Sequence, residues 1–96
     1  MSGVDPDNVN RVIREAVGGI LGETASSVFF GVLERKHDVA LSEVAKRPQD
    51  FSALLSGFFG SGAHAVERAI VLRLAEQFGA EISSKSFLAA MGELVG

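Results

Sequence analysis

The sequence predicts an all-α fold, a compact bundle of about five short helices packed orthogonally around a buried fourth helix. Three observations lead there. Apolar residues recur at helical spacing in five separate segments. No stretch keeps the alternation of a half-buried strand, and neither Asn-Gly nor Asp-Gly is present to close a hairpin. Proline or glycine punctuates most boundaries between the periodic segments. With 96 residues, 47% hydrophobic and 22% charged, the chain reads as one domain, 1–96, too apolar for a disordered segment. Its opening, residues 1–5, is expected to be flexible, and residues 84–96 to form an additional C-terminal helix.

The first helix is expected to open at Asp5-Pro6, an N-cap followed by proline at a position whose missing N–H costs nothing. Val9, Val12, Ile13, Ala16, Val17, Ile20 and Leu21 form its apolar stripe. Gly18 and Gly19 either end it early or let another helix approach along the Gly18/Gly22 face. A second helix is expected from about Ala25 to His37, with Ala25, Val28, Phe29, Val32 and Leu33 as its stripe and Phe30 extending the arc. Arg35, Lys36 and His37 place positive charge at its carbonyl end, which suits the helix dipole.

Asp38 to Arg47 reads as a connector in which Ser42 caps a short turn, Glu43 to Lys46. Arg47 is biased to extended backbone by the proline after it, and Pro48 opens the third helix with Asp50 in its first turn. Phe51, Leu54, Leu55, Phe58 and Phe59 are its expected buried stripe. Gly57, Gly60 and Gly62 then break the pattern. Gly60 fits a left-handed residue closing the third helix, and Ser61 fits the N-cap of the fourth. A phosphate cradle is the alternative for this turn. No strand precedes it, however, no P-loop lysine follows, and the glycine spacing is not the dinucleotide fingerprint.

The fourth helix, Ala63 to Phe78, is apolar nearly all round, through Ala65, Val66, Ala69, Ile70, Val71, Leu72, Leu74 and Ala75. Such a helix belongs at the centre of its domain. Gly79 stops it, and a last helix is expected from Lys85 to about Val95, with Phe87, Leu88, Met91, Leu94 and Val95 inward. The core is therefore expected to hold Phe29, Leu33, Phe51, Leu55, Phe58, Val66, Ile70 and Leu74.

Composition narrows the chemistry. A net charge of −3 gives no global field toward nucleic acid or anionic lipid. The chain has no cysteine, hence no disulfide framework and no thiolate nucleophile or ligand. The first residues lack the pattern of a signal peptide, and no apolar run is long enough for a membrane span. The expected location is cytoplasmic, away from membranes. Two histidines, His37 and His64, outside any HExxH arrangement make no metal site, and Ser56, Ser61 and Ser86 lack a nucleophile-elbow context. No catalytic residue, cofactor or metal is implied, and a non-enzymatic role is expected.

The candidate site centres on Glu67, which a helical wheel places between Ala63, Ile70, Val71, Leu74 and Phe78. An ionised carboxylate in such an arc must be paired, hydrogen-bonded, protonated or turned toward a partner. Arg35, Lys36 and Arg47 are its expected partners within the chain, and His64 and Arg68 lie on its own helix. The turn Gly60, Ser61 and Gly62 is the second candidate.

Three segments carry a resemblance: Val28-Phe-Phe-Gly-Val-Leu-Glu-Arg-Lys-His37, the helix start Arg47-Pro-Gln-Asp-Phe51, and Phe59-Gly-Ser-Gly-Ala-His-Ala-Val-Glu-Arg-Ala-Ile70. Together they resemble the small all-helical archaeal domains called Nitrosopumilus output domains, of the fifth type, over roughly residues 9–79. The resemblance implies a signalling output module without assigned catalytic residues. The resulting expectation is a protein–protein interaction domain of an archaeal regulatory system, self-associating as a homodimer. A sensor holding an anionic small molecule at the Gly60–Gly62 turn is the rival. A third reading is weak nucleic-acid binding through Arg35, Lys36, Lys46 and Arg47.

Overall fold

Asp5 and Pro6 begin the first helix as their chemistry dictates. The Asp5 carboxylate accepts from the Asp7 N–H at 3.0 Å, and proline fills the first turn. The computed structural model describes residues 4–95, which fold into five α-helices. These are α1 (Pro6–Leu21), α2 (Glu23–His37), α3 (Pro48–Phe59), α4 (Ala63–Phe78) and α5 (Phe87–Val95). Short 3-10 turns at Leu41–Lys46, Gly60–Gly62 and Ala80–Ser84 fill three of the connections. No described residue is in a strand.

The expected flexible opening lies outside the described residues over its first three positions. Its last two are held. The Val4 N–H donates to the Leu94 carbonyl at 3.0 Å, which ties the start of the chain to α5.

Gly18 and Gly19 do not end α1, and a β-carbon at either would meet nothing within 4 Å, so no helix packs closely there. The break falls at Gly22. With φ of +88° this residue both closes α1, through its N–H to the Gly18 carbonyl, and caps α2. The second helix therefore starts two residues earlier than expected. Asp38, in left-handed conformation, ends it in the position glycine usually takes.

The connector is organised by Asn10, a residue of α1 that is only 4% exposed. Its amide oxygen accepts from the Ala45 N–H at 2.6 Å, and its amide nitrogen donates to the Ser42 carbonyl at 2.9 Å. One side chain thus satisfies two backbone groups of the 3-10 turn against the core. Ser42 is not the cap. Glu43 takes that role, its carboxylate accepting from the Ala40 N–H at 3.2 Å.

The core is one cluster, with α4 against α1, α3, α5 and the Ala80–Ser84 turn. Ala63, Val66, Ile70, Val71, Leu74 and Ala75 of α4 are buried in it. The ring of Phe29 lies between those of Phe51, at 5.5 Å, and Phe58, at 5.1 Å, both edge-on. Phe51 also meets Phe87 at 5.4 Å, so aromatic contact links α2, α3 and α5. A radius of gyration of 12.2 Å matches a single collapsed domain, for which about 13 Å is usual at 100 residues.

Phe58 is the exception in the expected core. It points to the right side of α3 but sits in the last turn, where neighbouring helices no longer cover it, and remains 44% exposed. Ile20 in the last turn of α1 is likewise exposed. In α2 the buried face is turned from the expected stripe: Ser26, Phe29, Phe30 and Leu33 face inward, while Ala25 and Val28 are exposed. Leu72 and Leu88 also lie outside, and α5 starts at Phe87 rather than Lys85.

Candidate functional site: the cleft beside Ser52 and Glu67

Ser52 stands one turn into α3 and Glu67 one turn into α4, and the packing of these two helices brings them together. The Ser52 hydroxyl donates to the Glu67 carboxylate at 2.5 Å. Both side chains are half-buried. The expected partners of Glu67 are therefore replaced: Arg35, Lys36 and Arg47 do not reach it, and a neutral hydroxyl from the neighbouring helix does. A hydroxyl donating to a carboxylate is a strong type of hydrogen bond.

Glu67 also lines a cleft of about 360 Å³ between α4 and the start of α5. His64, Arg68, Lys85, Ser86 and Phe87 share that lining. So Glu67, His64 and Arg68 come together at one place. Arg68 is largely committed within the chain, donating to the Lys85 carbonyl at 3.2 Å and to the Ser83 carbonyl. These two bonds hold the segment leading into α5 against α4. Lys85 pairs with Glu93 at 3.4 Å. The Ser86 hydroxyl accepts from the Ala89 N–H at 3.2 Å and caps α5. His64 is exposed at the rim.

The basic residues of the other candidate group are dispersed. Arg47 donates to the Asp50 carboxylate at 2.9–3.0 Å and to the carbonyls of His37 and Asp38 at the end of α2. His37 lies 3.4 Å from the same carboxylate. This network staples the end of α2 to the start of α3, so Arg47 and His37 serve the fold. Lys36 is exposed, and Arg35 folds back over Gly31.

At the glycine turn, Gly60 has φ of +55° and ψ of −125°, a conformation open to glycine and unfavourable for other residues. Its φ is positive as expected, though its ψ is not that of the left-handed helix. Gly62 directly precedes α4. Ser61 is not the cap of α4: it lies within the 3-10 turn, and no side chain caps this helix.

Sequence reasoning did not find Ser52, Lys85, Ser86 or Phe87 as neighbours of Glu67. Ser52 and Glu67 are 15 positions apart on different helices, and no local spacing marks them as partners. Among the described residues, no three His, Asp or Glu side chains gather as metal ligands, and no helix is long and apolar enough to cross a membrane.

Comparisons with known proteins find no match. Neither protein families, nor curated proteins, nor solved structures provide a relative of this chain.

Proposed function

We propose that this chain is a non-enzymatic protein–protein interaction module that self-associates, in the signalling-output role its resemblance to the Nitrosopumilus output domains implies. What supports the reading is the set of large apolar side chains left outside the core, one on each helix. Ile20, Val28, Phe58, Leu72 and Leu88 are 43–54% exposed in a chain that has few residues to spare for its interior. Scattered exposed aliphatics are ordinary, but the half-exposed ring of Phe58 adjoins the buried ring of Phe29 at 5.1 Å. A partner covering Phe58 would extend the aromatic core outward.

Sedimentation velocity on the purified chain from low to high micromolar concentration tests the self-association. The expected outcome is a sedimentation coefficient that rises with concentration toward that of a dimer. A strictly monomeric chain across that range would overturn it.

A further inference from the structure

We propose that the groove between α1 and α2 is where two copies of this chain pair, the acidic flank of α2 in one copy against the basic flank of α1 in the other. This rests on the self-associating reading above and assigns it a surface that none of the five exposed apolar side chains lines. The groove has a volume of about 720 Å³. It is open because Gly18, Ser27 and Gly31 contribute little or no side chain to its lining, and Phe30 gives it an apolar element.

Its two flanks carry opposite charge. Arg11, Arg14 and Glu15 line it from α1, a flank that is positive on balance, and Glu23 and Glu34 line it from α2. Arg11 is engaged by Glu15 of its own helix at 3.5 Å. Among the described residues, Arg14, Glu23 and Glu34 take part in no ion pair. The three lie exposed beside an uncovered groove with their charges unmatched inside the molecule.

A second copy is the occupant this pattern fits. A two-fold interface sets one patch against itself, so the patch must contain both halves of every complementary pair. A groove basic on one flank and acidic on the other meets that condition, whereas a flank of single sign would repel its own copy. The net charge of −3 works against the approach of two copies over longer distance. The contact is therefore held by short-range pairs and weakens as salt is raised.

Charge reversal tests this on the whole chain by sedimentation velocity, with Arg14→Glu and Glu34→Arg made separately. Both positions are exposed on helix surfaces, and circular dichroism melting checks that each variant folds. In a homodimer, each single variant faces like charge at two symmetric places. Its self-association is expected to weaken by roughly tenfold. In an equimolar mixture of the two variants, each mixed dimer again sets opposite charges against one another at both places, with their signs exchanged at one of them. Dimer formation then recovers toward the level of the unmodified chain. If the unmodified chain dimerises and the reversals leave it unmoved, or the mixture fails to recover, the groove assignment falls while self-association stands. An unmodified chain that stays monomeric overturns both.

Discussion

Ser52 of α3 donates its hydroxyl hydrogen to Glu67 of α4 across 2.5 Å, and this contact accounts for the charge that the sequence leaves in an apolar arc. The arc is apolar, yet Glu67 lies at its edge, where α4 leaves α3 for the cleft beside Phe87. The carboxylate needs no cation there. One hydroxyl and partial access to water satisfy it, which is cheaper than burying an ion pair.

The pair should behave as a coupled unit. Ser52→Ala is expected to cost about 1–2 kcal/mol, because hydrogen bonds to charged groups contribute more than neutral ones. Glu67→Gln keeps an acceptor and should cost less, about 1 kcal/mol. Urea denaturation of both single variants and the double variant measures the coupling. Strict additivity would show that the two side chains do not interact in solution.

Asn10 is the polar residue on which the connector depends. Asn10→Leu leaves the Ala45 N–H and the Ser42 carbonyl without their partner. Ala45 is buried. A loss of about 2–4 kcal/mol is expected, up to the cost of two orphaned groups. Hydrogen exchange at the Ala45 amide gives the local readout. Unchanged protection there would refute the role assigned to Asn10.

The two phenylalanines that flank Phe29 should separate. Phe51 is fully buried, and Phe51→Ala is expected to cost about 3–5 kcal/mol. Phe58 keeps nearly half its surface in solvent, so Phe58→Ala should cost less than half as much. Equal shifts in the urea midpoint at equal slope would mean that Phe58 is covered in solution, as it would be inside an oligomer.

Gly57 and Gly60, three positions apart, should respond with opposite sign. Gly57 is helical with nothing near its missing β-carbon, and Gly57→Ala is expected to stabilise by about 0.5–1 kcal/mol. Gly60 holds φ of +55° with ψ of −125°, and Gly60→Ala should destabilise by about 1–3 kcal/mol. Thermal melts of the two variants decide the matter. A neutral Gly60→Ala would show that this turn takes another conformation in solution.

Helix positions were legible in the sequence because their signals are local. Asp5-Pro6, Arg47-Pro48, the glycine at position 60 and the glycine at 79 act on backbone within a turn of themselves, and α1 begins, α3 begins and ends, and α4 ends accordingly. The sequence places Asp50 in the first turn of α3, but its pair with Arg47 was not expected from it. The recurring apolar residues identified seven of the eight expected core positions, all but Phe58.

What the tertiary structure alone decided is which part of each apolar arc is covered, and by what. Val28 and Val32 are as apolar as the residues beside them, but α2 is rolled so that Ser26 and Phe30 face inward and Val28 faces out. The partners of Asn10 and Glu67 come from segments 15 to 35 positions away. A hydrogen-bond donor at that separation leaves no trace in local periodicity, because its distance is set by how whole helices pack. The same holds for the groove between α1 and α2: its opposite charges are visible along the chain, but only the fold puts Arg14 and Glu34 on the two sides of one opening.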